Sequence, residues 1–117
     1  MMAAERSAGD LRESVAFEER IELDRGDGVR VGDWTERFLT RAGFLHLRGG
    51  ESVMTGRLAG RHPQIIFVRV SERTRAVTGE WRITDKRSGV AFNIRDITPS
   101  TDGLWFDFLC ESGVNTG

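Results

Sequence analysis

Cysteine is nearly absent from this chain of 117 residues, and its scarcity limits the chemistry available. Cys110 is the only cysteine, so an internal disulfide and a multi-cysteine metal site are both excluded. It alternates along the chain with Phe106 and Phe108, which predicts a buried core residue rather than a nucleophile. A single thiol also suits a reducing compartment.

Long apolar runs and an excess of charge of either sign are missing as well. No segment has the length and hydrophobicity of a membrane-spanning helix, and the first ten residues lack the apolar core of a signal peptide. We therefore expect a soluble cytoplasmic protein with no membrane partner. The formal net charge of −1 gives no global attraction to nucleic acid.

Catalytic and cofactor motifs are not found either. The chain has no nucleophile elbow, no phosphate-binding loop and no dinucleotide-binding fingerprint. His46 and His62 stand outside any metal-ligand spacing, and the acidic residues are too scattered to single out an acid–base pair. The sequence therefore predicts no enzymatic activity, no cofactor and no metal site.

What the chain does contain is short stretches of alternating apolar and polar residues. The first places Val15, Phe17 and Ile21 on one face, which predicts a half-buried strand, with a helix as the rival because glutamate and arginine are frequent there. The other predicted strands are residues 34–39, 43–47 (a continuation or a third strand), 65–70, 80–84, 90–95 and 104–111.

Turn signals separate these stretches at close spacing. Asp27-Gly28 predicts a β-hairpin, and tight turns are expected at residues 85–89 and 99–103. The predicted fold class is all-β, a small barrel or sandwich of about six to seven short antiparallel strands with one long inserted loop. The predicted organisation is a flexible N-terminal arm (1–10), a single β domain (11–112) and a flexible tail (113–117).

The inserted loop, residues 49–62, carries the main functional signal. It is bounded by glycines, and loops of this length within compact domains are usually functional or disordered. A short helix is compatible with residues 51–59. Its arginines suit either contact with nucleic-acid phosphates or simple solubility, and its apolar side chains suit a protein partner. The candidate contact residues are Arg48, Glu51, Val53, Met54, Arg57, Leu58, Arg61 and His62.

The order of these features resembles the small head–tail joining proteins of long-tailed bacteriophages, also called head-closure or stopper proteins. The similarity runs from about Gly9 to Glu111. Arg41 departs from the family pattern, which often has an aromatic or apolar residue just before the alanine. The matching positions are Gly9, Leu11, Arg12, Val15, Trp34, Ala42, Leu47, Gly49, Glu51, Ile66, Val68, Arg69, Arg82, Ile83, Gly89, Phe92, Asn93, Ile94, Ile97, Leu104, Phe106, Phe108, Cys110 and Glu111.

The resemblance implies a structural protein that forms a ring of six or twelve copies in the neck of a virion or phage-like particle, made in the host bacterial cytoplasm. The implied partners are further copies of the chain, a portal-side adaptor, a tail-terminator or tail-tube protein, and double-stranded DNA in the exit channel. The long loop is expected to face that channel or a neighbouring ring. Head-to-tail packing in a ring uses two different patches, for which Trp34 and Trp105 are candidates.

Two alternative functions stay open from the sequence. A tail-terminator or another neck ring protein belongs to the same assembly. A stand-alone nucleic-acid-binding β-barrel belongs to another class, which typically shows stacking aromatics among basic residues on one face. Here most aromatics share a face with aliphatic residues. Trp105 is the exception and is a candidate for an exposed or interface position. The source of the particle, a phage, a prophage or a gene-transfer agent, is not specified.

Overall fold

Six antiparallel strands close into a barrel in the computed structural model, which describes residues 6–24, 26, 30–46 and 62–112. The order around the barrel is β1-β2-β3-β6-β5-β4, and β4 closes the ring by pairing with β1. A 3-10 helix (Ala8–Asp10) precedes β1, and a short helix follows β3. The elements are β1 (Glu13–Asp24), β2 (Arg30–His46), β3 (His62–Arg69), α1 (Glu72–Arg75), β4 (Arg82–Asp85), β5 (Ala91–Pro99) and β6 (Trp105–Ser112).

This architecture confirms the predicted all-β class and decides between a barrel and a sandwich. The first alternating stretch is strand β1, not a helix, and it pairs with β2 as a long hairpin. Residues 34–39 and 43–47 belong largely to one strand, because β2 runs for 17 residues without a break. Two of the turn residues predicted to close this hairpin, Asp27 and Gly28, lie outside the described residues.

Inward-facing side chains of all six strands fill the barrel. Phe17 lies near the centre of this core, stacked on Phe38 at 4.9 Å and edge-on to Phe108 at 5.3 Å between ring centroids. Such aromatic pairs stabilise beyond the area that they bury. Cys110 is fully buried among these residues, as its alternation with phenylalanines predicted.

The connector between β3 and β4 contains a short helix that the sequence did not predict. Ser71 caps α1 by accepting a hydrogen bond from the backbone N–H of Thr74, and the Thr74 hydroxyl donates to the carbonyl of Arg69. The capping box, Ser71 with Thr74, was the available signal. Val77 and Trp81 then join the core, so the connector covers this end of the barrel.

The strand registers place the loops at two ends. At one end lie the last residue of β2, the first residue of β3 and the tight turn at 85–89. The opposite end carries the β1–β2 hairpin, the α1 connector and the turn at 100–103. In the turn at 85–89, Gly89 adopts a φ of 77° and its N–H donates to the carbonyl of Asp85, which confirms the predicted turn.

The β1–β2 hairpin extends beyond the barrel. Strand β4 pairs with β1 only as far as Glu18, and β3 pairs with β2 only from Gly43 onward. Among the described residues, the hairpin beyond Glu18 has no third strand, and its six residues on β1 project by about 20 Å. This projecting hairpin is residues 19–24 with 30–36.

Candidate assembly surfaces

Most of the sequence-predicted contact residues fall outside the described part of the chain. Arg48, Glu51, Val53, Met54, Arg57, Leu58 and Arg61 all lie within residues 47–61. His62 is described as the exposed first residue of β3, opposite Ser112 of β6. The structure therefore fixes where the segment leaves and re-enters the barrel, and the contacts predicted for it stay predictions.

An apolar row runs across the outside of the barrel near this end. Leu45 of β2 lies opposite Ile65 of β3, which lies opposite Leu109 of β6. Residues directly opposite each other in an antiparallel pair share a face, so the three side chains are neighbours. Leu45 and Leu109 are 41% and 37% exposed. The outer apolar row, Leu45 with Ile65 and Leu109, is thus available to a partner.

Trp34 lies on β2 at the base of the projecting hairpin and is half-buried. The Arg82 guanidinium stacks over its ring at 4.4 Å, and Arg82 Nε donates to Glu18 Oε1 at 2.5 Å. The Thr84 hydroxyl donates to the same carboxylate oxygen. One face of the indole is therefore covered by a cation held in place by hydrogen bonds. A role of Trp34 in a subunit interface stays a prediction.

Trp105 is buried within the chain, so its placement as an exposed residue is wrong. Only 4% of its surface is accessible, although it points away from the core as the alternation predicted. Phe67 packs edge-on against it at 5.8 Å, and the Arg69 guanidinium lies 5.1 Å from its ring. A second, smaller aromatic cluster thus forms outside the barrel. Any contact of Trp105 with another subunit stays a prediction.

The N-terminal segment covers this outer cluster. The Arg6 guanidinium lies over the Phe67 ring at 4.2 Å and forms a two-pronged ion pair with the Asp107 carboxylate. Further along, Arg41 Nε donates to the carbonyl of Leu11. Residues 6–12 therefore cross strands β2 and β3 and reach β6. The predicted flexibility of residues 1–10 stays a prediction, and residues 1–5 lie outside the described part.

The cluster requires glycine on the neighbouring strand. Gly43 of β2 lies opposite Phe67, whose ring extends across it, and a Cβ at Gly43 would overlap that ring. The glycine thus provides the space in which the ring and Arg6 stack. The sequence pattern did not predict this contact, because a glycine in a strand is equally compatible with a bulge.

The described residues offer little support for a nucleophilic site or a metal site. Burial raises the pKa of the Cys110 thiol to about 12, so the reactive thiolate is scarce at neutral pH. No three His, Cys, Asp or Glu side chains of the described ranges are grouped so as to hold a metal ion. None of the described helices is long and apolar enough to span a membrane.

Comparison with known proteins gives these surfaces a context. A family model described as phage head completion protein matches residues 6–113. The chain belongs to this family. The match covers the barrel, the projecting hairpin and the outer aromatic cluster of this head completion protein. A structural role in the phage virion, in head completion, follows from the family, and a structural family supports a non-enzymatic role.

Two solved structures share the fold. A solution structure of a protein from Shigella flexneri 2a superimposes with a TM-score of 0.71 at 17% identity, covering 95% of this chain and 100% of the other. A chain in the virion of a native gene transfer agent particle superimposes with a TM-score of 0.62 at 20% identity, covering 89% and 96%. No curated protein sequence matches this chain.

Proposed function

We propose that this protein is the head-closure, or stopper, ring protein of a tailed phage or gene-transfer particle. It joins the portal and adaptor of the DNA-filled head to the tail and lines the DNA exit channel. The observation that carries the proposal is the head completion family match over nearly the whole chain. The neighbour within a gene transfer agent virion supports the particle setting by its shared fold.

The geometry supports a connecting role. The barrel has two distinct ends, one where β2 ends and β3 begins and the other with the projecting hairpin, so it can present different surfaces to a head-side and a tail-side partner. The outer apolar row adds a lateral contact surface near the first end. Exposed apolar patches on small proteins often mark contacts with other proteins.

The long loop is the element that we assign to the channel or to the adjoining ring. Residues 47–61 connect neighbouring strands at one end of the barrel, so in a ring every copy would contribute one such segment at the same level. Their arginines suit phosphate contact, and their apolar side chains suit a neighbouring protein. The near-neutral net charge suits passage of DNA, because a strongly basic lining would retain it.

A loop-replacement experiment tests this function. Residues 51–59 are replaced by a short Gly-Ser linker in the gene of the phage or gene-transfer particle that encodes the protein. The amount of nuclease-protected DNA and the fraction of particles that carry tails are then measured. We expect heads that package DNA but lose it or fail to receive tails. The matched control is Thr101→Ala in the turn at the opposite end. Particles that close, retain DNA and accept tails without the loop would contradict the assignment.

A reconstruction of the particle neck tests the position of the protein. We expect a ring of this chain between the portal-side adaptor and the tail, with residues 47–61 facing the channel or the next ring. Density for the chain at the top of the tail tube instead would identify a tail-terminator, and its absence from the neck would reject both roles.

A further inference from the structure

The N-terminal strap, residues 6–12, lies on the outside of the barrel without joining its sheet. Within the described part of the chain, its backbone hydrogen bonds stay inside the segment. The N–H of Asp10 donates to the carbonyl of Ser7, and the N–H of Leu11 donates to that of Ala8. The strap is attached to the barrel through side chains instead, so it can leave the surface without opening any strand pair.

One guanidinium holds the far end of the strap in a site that fits it closely. Arg6 forms its two-pronged ion pair with Asp107 of β6 and lies 4.2 Å from the centre of the Phe67 ring of β3. The ring in turn occupies the space that Gly43 of β2 leaves free. The Arg6 side chain is only 20% exposed as a result. We call the three residues Gly43, Phe67 and Asp107 the arginine receptor.

The strap joins the barrel on one side and docks on another. It leads into β1 at Glu13, whereas the arginine receptor lies on β2, β3 and β6. In the closed order β1-β2-β3-β6-β5-β4, β6 is three strands away from β1 in either direction. When identical barrels stand side by side in a ring, the β1 side of one can face the receptor side of the next. The start of one strap then lies beside the receptor of the neighbouring copy.

We propose that in the assembled ring the strap of each copy crosses to the next copy and places its Arg6 in the arginine receptor of that neighbour. The proposal rests on the ring function above and identifies one of its lateral contacts. Exchange of an identical element between copies costs little, because the Arg6 contacts with Phe67 and Asp107 are reproduced between chains. The β1 side and the receptor are different patches, so the contact is head-to-tail, as ring closure requires.

The length of the strap permits the exchange. On its own barrel it spans from β1 to β6, which is three strand spacings or about 14 Å. Seven residues reach at most about 24 Å when extended. Leu11 and Arg12 lie between the 3-10 helix and β1 and can serve as the hinge. The hydrogen bond that Arg41 donates to the Leu11 carbonyl lies beside this hinge and would have to open.

Zero-length carbodiimide cross-linking distinguishes a strap on its own barrel from an exchanged strap. The reagent joins a lysine amine to a carboxylate that lies against it, and Lys86 is the only lysine of the chain. Arg6→Lys supplies an amine beside Asp107. The matched control is Arg37→Lys, because Arg37 pairs with Glu19 at 2.9 Å within one hairpin. Each variant is cross-linked as dilute purified protein and in purified particles, and the linked peptides are identified by mass spectrometry.

The two samples should differ in which chains are joined. In the dilute Arg6→Lys protein we expect the introduced lysine to link to Asp107 within a single chain. In particles the same link should join different chains and give covalent dimers and longer oligomers on a denaturing gel. Arg37→Lys should link to Glu19 within one chain in both samples. Adding Asp107→Asn to Arg6→Lys should abolish the link in both samples.

A link to Asp107 that stays within single chains in the particles would overturn the proposal, and so would loss of the link on assembly. The neck reconstruction of native particles decides the same question if the Arg6→Lys particles do not assemble. Density for the strap that runs from Glu13 to Asp107 of the next copy is the expected result. A ring in which each strap stays on its own barrel would refute the exchange while the proposed function stands. Absence of the chain from the neck would reject the proposed function itself.

Discussion

Gly43 determines how the outer aromatic cluster packs. The Phe67 ring lies over the Gly43 backbone, Arg6 stacks on that ring, and Trp105 meets its edge. A methyl group in place of the Gly43 hydrogen would force the ring outward and with it the Arg6 guanidinium. The N-terminal segment is therefore coupled to the barrel through a position that has no side chain.

We predict that Gly43→Ala lowers the free energy of unfolding by about 1–3 kcal/mol, the usual cost of forcing extra volume into a packed site. Urea denaturation followed by tryptophan fluorescence measures the change, since Trp105 reports on this cluster. Gly79→Ala is the matched control, because nothing lies within 4 Å of a Cβ built at Gly79.

A double variant tests whether the effect of Gly43→Ala comes from contact with the Phe67 ring. Phe67→Ala removes the ring that the new methyl group would strike, so the effects of Gly43→Ala and Phe67→Ala should be clearly less than additive. Full additivity, or a Gly43→Ala variant as stable as the native chain, would contradict the predicted overlap.

The projecting hairpin is expected to be the least protected strand pair of the isolated barrel. Its hydrogen bonds beyond Glu18 link two strands only, whereas β3 and β6 have a neighbour on each side. Local opening costs less where few contacts cross between elements. We therefore predict faster amide exchange for residues 19–24 and 30–36 than for β3 and β6.

Hydrogen exchange with mass spectrometry measures this difference, and the same measurement on assembled particles supplies the contrast. Protection of the hairpin should rise on assembly if a neighbour docks there, while β3 and β6 should change little. Hairpin amides as slow as those of β6 in the isolated protein would show that the ribbon is stable by itself.

The sequence predicts a β-strand well where one face of that strand is buried. Val15 and Phe17 on β1 and Phe108 and Cys110 on β6 alternate as core residues should, and the structure places them inside. Barrel closure was not predictable, because it depends on pairing β1 with β4, which are distant in sequence. Helix α1 was missed because its four residues lie in a polar stretch.

The candidate assembly surfaces were less predictable from the sequence than the fold. Trp105 alternates away from the core and so suggested exposure, but Arg69 and Phe67 cover it from the next strand. Such outer clusters depend on cross-strand register, which a single sequence does not specify. A groove at the base of the projecting hairpin, with Glu19, Trp34 and Glu80 among its lining residues, likewise joins β1, β2 and the approach to β4, so no local pattern marks it.

The described residues of this barrel do not present the surface of a stand-alone nucleic-acid-binding barrel. Modules of that class bind single strands by stacking bases on exposed aromatics among basic residues. In this barrel Trp105 and Phe67 are 4% exposed, and Arg82 covers one face of Trp34. The formal net charge is −1, so long-range attraction to phosphate is also missing.

We therefore predict weak binding of the purified protein to nucleic acid, with dissociation constants above about 100 µM for single-stranded and duplex oligonucleotides at about 0.15 M salt. Fluorescence anisotropy with labelled oligonucleotides measures both. Because DNA in the neck is confined to the channel, the proposed function needs no affinity from an isolated subunit. A monomer that binds single strands in the low micromolar range, with affinity lost in Trp34→Ala, would instead favour the nucleic-acid-binding class.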